Sequence, residues 1–246
     1  MTAVAKGCDW GWGFPDPAAL EAQGIRFAGR YVTRDRTGKA LTLAQAVALS
    51  AHGVRVVNIF EDAAGRALTG TINGVADAQF ASKFLRQVKC PPGQDIYVAV
   101  DVDTGGKPER VAPYFEGWQR YFPKSRIRAY GSHEVVEWAA ANGYGPGMQT
   151  TAWSHGLWSD RIAIRQTGEQ SKIGSVPIDL DDAVMADYGG WSLPEHGGIT
   201  IAEWRGVKAF IHAHFGHALW SHVWTVLTSH PAEVRKLIDA GKIKPA

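Results

Sequence analysis

Over roughly its first 185 residues the chain repeats one unit: a short apolar run of strand length, a polar or aromatic ending, then helical spacing. The strand-like runs are Val4–Asp9, Ile25–Val32, Val54–Glu61, Asp95–Asp103, Arg126–Gly131, Gly147–Trp153, Ile162–Gln166 and Val176–Asp181. Helical patterns fall between the first six of them, at Pro17–Gln23, Leu43–His52, Ile72–Val88, Pro108–Tyr121 and His133–Asn142, with start signals such as Asp16-Pro17 and Ser132. Strand and helix in alternation predict an α/β fold with a parallel sheet and crossovers. Eight strands close into a (β/α)8 TIM-like barrel, with its site at the C-terminal ends of the strands. The last three strands follow one another at about 13-residue intervals, too short for full crossover helices. Five βα units followed by three strands with reduced helices are therefore expected. An open doubly wound sheet is the alternative, but Gly7, Gly11 and Gly13 do not make its phosphate-binding turn.

The texture changes near residue 190, where Gly189-Gly190 and Gly197-Gly198 punctuate the chain. The reading is a barrel over 1–190, then a linker and C-terminal helical segment over 191–246. Two helices are expected there, Ala202 to about Leu227 and Ala232–Ala240, divided by Ser229-His230-Pro231. Leu219, Val223, Val226 and Leu227, with Phe215, Trp220 and Trp224, give the first helix apolar surface that should pack on the barrel or on a second copy of the chain. The histidines there, His212, His214, His217, His222 and His230, put only His214 and His217 in i,i+3 register, which suits a solvated or interface face better than a metal cluster.

Composition removes other classes. The 246 residues are 45% hydrophobic and 20% charged, enough for one large core, and a net charge of +2 gives no basic field for nucleic acid. Two cysteines, Cys8 and Cys90, make neither a disulfide framework nor a zinc spacing. No apolar run reaches the roughly 18 residues of a membrane span, and MTAVAKGCDWGWGF lacks a basic region followed by a long apolar one. The expectation is a chain made in the cytoplasm without its own signal peptide.

The chemistry concentrates at the strand ends. Asp9 closes the first strand, Glu61-Asp62 the third, Asp101-Val102-Asp103 the fourth and Asp179-Leu180-Asp181 the eighth. Period-two alternation puts Asp101 with Asp103, and Asp179 with Asp181, on common faces. Acids gathered on one rim repel, which raises one pKa and leaves another group ionised, as two-carboxylate glycoside hydrolysis requires. Solvated loop acids or an Mg²⁺ or Ca²⁺ site are the competing readings, the latter without a DxDxDG loop or HExxH helix to support it. Arg30-Tyr31, Tyr130, Trp153 and Gln166 at the remaining ends suit a sugar, since rings stack on its faces and amides bond its hydroxyls. Each also has a packing role open to it.

Taken in order, GCDWGW, GRYV, NIFED, AVDVD, RAYGS, TAWS, IRQTG and PIDLDDA resemble the glycoside-hydrolase-like barrel domain of actinobacterial envelope proteins and phage lysins, a relative of the family-25 lysozymes, over about residues 4–190. The resemblance implies a β/α barrel with reduced helices on its last strands, no cofactor, and a cell-wall glycan as substrate. It places Asp9, Asp101, Asp103 and one of Asp179 or Asp181 where those lysozymes carry their acids. The lysozyme Asp-x-Glu reads Asp101-Val102-Asp103 here, one methylene short at the proton donor. Glu61 is therefore expected as the general acid, with Asp101 or Asp103 as its charged partner. A glycan-binding barrel without turnover is the second reading and a metal-dependent hydrolase the third. A phage lysin of this kind would act at the cell wall after release by a partner pore.

Overall fold

The computed structural model describes residues 2–35, 37–193, 195–196, 199–200, 203–204, 206–211, 213, 223, 226–227 and 230–243. Its order is β1 (Ala5–Asp9), α1 (Pro17–Ala22), β2 (Ile25–Val32), α2 (Leu43–Ala51), β3 (Arg55–Phe60), α3 (Thr71–Gln87), β4 (Ile96–Ala99), α4 (Ala112–Trp118), β5 (Ile127–Gly131), α5 (His133–Ala141), β6 (Gly145–Gln149), β7 (Ile162–Ile173) and β8 (Val176–Ala183). The eight strands close into a barrel in chain order. Five helices cross between the first six strands, and a loop and a tight turn join the last three, as the spacing predicts. Helix starts follow their signals: Asp16 accepts from the Ala18 N–H, and Thr42 with Gln45 forms a capping box on α2.

The sheet departs from the all-parallel expectation at one strand. β1 to β7 are parallel, but β8 runs antiparallel to both β7 and β1. Only Gly174 and Ser175 separate β7 from β8. Two residues can close a hairpin and cannot carry a parallel crossover. Gly174 takes the left-handed φ of +60° that the turn needs. The beginning of β8, rather than its end, therefore lies at the barrel mouth.

Inward-facing Phe27, Val57, Ile59, Tyr97, Met148, Ile164 and Ala183 fill the barrel, while Cys8, Val56 and Val98 face outward to Leu20, Leu49, Phe115 and Trp118 of the helical layer. Gly7 leaves the space that the Phe27 ring occupies. At the base, Asp95 bonds Arg126 at 3.1 Å and Arg128 at 2.5 Å, and Arg128 Nη1 donates to the Asp187 carbonyl at 3.0 Å. With the base closed by ion pairs and the middle by apolar side chains, polar side chains reach the interior chiefly at the mouth.

The described part of the C-terminal segment lies against the barrel's flank. Trp191 pairs with Val56 through both backbone groups and donates its indole N–H to Asn58 Oδ1 at 2.9 Å. Trp204, Val207, Ile211 and Val234 are buried in the outer apolar cluster, and Lys208 reaches Asp16 at 2.9 Å. The helix Pro231–Asp239 falls where the second C-terminal helix is expected. His212, His214, His217, His222, Phe215, Leu219, Trp220 and Trp224 lie outside the described residues; His230 is exposed, its Nδ1 2.9 Å from the Val226 carbonyl. Among the described residues no helix is long and apolar enough to cross a membrane.

Candidate active site

The mouth is organised around Asp9, the last residue of β1. The strand register sets it directly opposite Asp179 of β8 and beside Gly29 of β2. A Cβ on residue 29 would lie 2.9 Å from the Asp9 Cβ and 2.8 Å from Ile59 Cδ1, so glycine there makes room for the carboxylate. Asp9 is 1% exposed. Its Oδ1 accepts from the Tyr31 hydroxyl at 2.9 Å and its Oδ2 from Gln166 Nε2 at 2.7 Å, while Gln166 Oε1 accepts from the Tyr130 hydroxyl at 2.9 Å. Burial, and after it the facing Asp179, push the Asp9 carboxyl up to about 7, against the pull of its two hydrogen bonds. Burial also raises Tyr31 and Tyr130, so both phenols remain donors.

Asp181 lies one layer deeper, opposite Gly7 and Gln166. It is 2% exposed, and among the described residues neither carboxyl oxygen has a hydrogen-bond partner. Burial and Asp9 raise its pKa well above the ordinary value. Asp179 is half-buried and accepts from Gln170 Nε2 at 2.8 Å. The β7–β8 hairpin that carries these acids leans on the loop after β1, where Val176 Cγ2 comes within 3.0 Å of the place a Gly13 Cβ would take.

Glu61 follows β3 and is ion-paired with Lys39 of the loop between β2 and α2. The Lys39 ammonium also lies 4.3 Å from the centre of the Tyr31 ring and 5.8 Å from that of Trp12. An ion-paired carboxylate suits a charge-stabilising role rather than the proton-donating one expected from sequence. Lys39 and Trp12 were not among the residues that sequence singled out. The long stretch between Val32 and the Thr42 cap was the only hint that a loop folds over the mouth here.

The other expected residues divide. β4 stops at Ala99, so Asp101 and Asp103 are not on a strand and alternation does not apply to them. Both are exposed, and Asp103 Oδ1 accepts from the Gly105 N–H at 2.8 Å in a local turn. No hydrogen bond joins either to the Asp9 group. Asp62 holds Arg34 and accepts from the Thr33 hydroxyl at 2.9 Å, tying two loops together. Arg30 ties together the loops beside the mouth; it is 0% exposed, donates to the carbonyls of Trp10 and Lys39, and lies 4.3 Å from the Trp10 ring centre. Trp153 is 37% exposed in the loop after β6, with a left-handed φ of 54°. Gln149 pins that loop, donating to the Leu157 carbonyl at 2.7 Å and accepting from the Ser159 N–H at 2.9 Å. Among the described residues no three His, Cys, Asp or Glu side chains are grouped to hold a metal ion.

The sequence matches a known family model, the Rv2525c-like, glycoside hydrolase-like domain, over residues 18–185, a span that begins after β1 and Asp9. The chain belongs to this family. The Rv2525c-like barrel is similar in structure to the Tat-secreted protein Rv2525c of Mycobacterium tuberculosis, solved in complex with L-tartrate, with a TM-score of 0.72 and 23% identity over 77% of this chain and 100% of that one. It is also similar to the autolysin LytC of Streptococcus pneumoniae, with a TM-score of 0.53 and 8% identity over 72% of this chain and 46% of that one. The catalytic domain of endolysin ply40 from bacteriophage P40 of Listeria monocytogenes gives 0.51 and 11% identity over 76% and 96%. At such identities the likeness is one of fold. No curated protein matches the sequence. The barrel thus shares its fold with an autolysin and an endolysin, as the resemblance implies.

Proposed function

We propose that the protein binds and cleaves bacterial cell-wall glycan at the barrel mouth. The observation that carries this reading is the pairing of a carboxyl pushed up to about 7, Asp9, with an ion-paired carboxylate, Glu61, at one mouth. Glycoside hydrolysis needs one carboxyl in each state. In this reading the proton held on Asp9 passes by way of the facing, half-buried Asp179 to the leaving glycosidic oxygen. As the C–O bond breaks, positive charge develops on the sugar carbon and Glu61 stabilises it until a water oxygen bonds there, the water's proton returning by way of Asp179 to Asp9. Tyr31 and Gln166 hold Asp9 and Tyr130 holds Gln166, and the exposed Asp101, Asp103 and Trp153 are candidate glycan contacts. LytC, which shares the fold, has been solved with a synthetic peptidoglycan ligand.

A second reading, a glycan-binding barrel without turnover, is favoured by one observation: Asp9 is 1% exposed, with its two carboxyl oxygens engaged by Tyr31 and Gln166. Reducing-end release from purified peptidoglycan separates the two. The first reading expects release by the wild type and a fall of about 100-fold or more in Glu61→Gln and Asp179→Asn. Sedimentation with peptidoglycan but no release from it supports the second.

A further inference from the structure

Trp12 is the most exposed tryptophan among the described residues at 58%, yet its ring is tethered. It follows Asp9 by three residues, on the loop that leaves β1 at the mouth. Its indole N–H donates to Thr37 Oγ1 at 3.0 Å. Thr37 is itself fixed, since both its backbone N–H and its hydroxyl donate to Asp35 Oδ1 at 2.6 Å. The Lys39 ammonium approaches the ring from one side, 5.8 Å from its centre, and that same ammonium is the partner of Glu61. An indole placed in water gains nothing from burial, and ordering it by a tether only adds an entropic cost. A ring tethered in the open, with the ammonium that pairs with Glu61 at 5.8 Å from its centre, is, by contrast, arranged to receive something with an apolar face and hydroxyl edges.

From this we infer that Trp12 is a stacking platform for a pyranose ring, forming a sugar subsite adjacent to Glu61. The C–H face of the sugar lies on the open indole face, and Lys39 links the platform to Glu61, so occupancy of the subsite and the placement of the carboxylate are coupled. This inference rests on the glycan reading above and adds the location and chemistry of a subsite. The ligand class is a pyranose oligomer; an isolated apolar molecule would not use the hydroxyl-bonding groups around the ring.

The test is binding of the full chain to purified peptidoglycan by sedimentation, and to a soluble β-1,4-linked N-acetylglucosamine tetramer by calorimetry, with wild type, Trp12→Ala, Trp12→Phe and Thr37→Val. Trp12 is exposed, so all four proteins should show the same thermal midpoint, which separates a binding effect from a folding one. The expected result is affinity about tenfold weaker in Trp12→Ala, largely restored in Trp12→Phe, and lowered by a smaller factor in Thr37→Val. Equal affinity in wild type and Trp12→Ala overturns the inference and leaves the glycan reading standing. Absence of wild-type binding to both probes overturns the inference together with that reading.

Discussion

Asp9 of β1 and Asp179 of β8 stand directly opposite each other on antiparallel neighbours at the barrel mouth. Facing residues of such a pair have Cβ atoms about 4.5–5.5 Å apart, a separation at which two carboxylates repel. Burial of Asp9 is the larger cause and the facing Asp179 the next, and together they hold the proton on the carboxyl up to about 7. The reversed direction of β8 creates this arrangement, because a parallel eighth strand would have presented its other end to the mouth.

Stability should therefore fall with rising pH across neutrality. In the folded chain Asp9 keeps its proton to about 7, whereas in the unfolded chain it loses it near 3.8. The folded state binds the extra proton between those values, so the contribution is whole below about pH 4 and is lost as pH rises through 7. Asp181, raised by burial and by Asp9, acts with the same sign. Urea midpoints measured from pH 5 to pH 8 should decline in the wild type and decline less in Asp9→Asn. A wild-type midpoint that climbs over this range contradicts the assignment.

Much of this was legible in the sequence, for identifiable reasons. Strong apolar runs such as Ile25–Val32 and signals such as Asp16-Pro17 and Thr42 fix their elements locally, so five βα units and three shortened connections could be read from spacing. Asp9, Tyr31 and Tyr130 could be singled out because each is one of the last two residues of its strand, and Gln166 because it closes the apolar run Ile162–Gln166, although β7 itself continues to Ile173. The direction of β8 depends on a two-residue turn, which stayed hidden because the apolar run of the seventh strand ends at Gln166 while β7 continues to Ile173, so that the connection to Val176 looked nine residues long. Asp101 and Asp103 looked like strand residues because AVDVD alternates, but β4 ends before them. Lys39 and Trp12 meet Glu61 and Tyr31 through the folding of loops, and no local pattern encodes that.

Glycine at position 29 is a requirement of the site. An added methyl would press on Ile59 and on Asp9 itself. Gly29→Ala should lose about 1–3 kcal/mol of stability and weaken glycan binding as Asp9 is displaced. Gly11→Ala, where the added methyl meets nothing within 4 Å, should stay within about 0.5 kcal/mol of wild type in the same denaturation series.

The loop that presents Trp153 depends on one buried amide. Gln149→Leu leaves the Leu157 carbonyl and the Ser159 N–H without their partner. A loss of about 2 kcal/mol is expected, together with faster amide hydrogen exchange across residues 150–159 and little change in α3. Uniformly faster exchange across the barrel would mean that Gln149 supports the whole fold rather than this loop.

Lys39 should matter through its charge. Lys39→Met removes the partner of Glu61 and the cation beside Tyr31, and should reduce glycan cleavage by about tenfold or more; Lys39→Arg, which keeps a cation, should recover much of it. Equal rates in all three proteins would separate Glu61 from the chemistry.

The most direct measurement is a carboxyl ¹³C NMR titration of the Asp side chains, with Asp9 assigned by comparison with Asp9→Asn, in wild type and Asp179→Asn. An Asp9 midpoint near 7 is expected in the wild type, moving down when the facing carboxylate is removed. An Asp9 midpoint near 3.8 in both proteins would contradict the proton held at the mouth, and with it the pairing of carboxyl states on which the proposed cleavage depends.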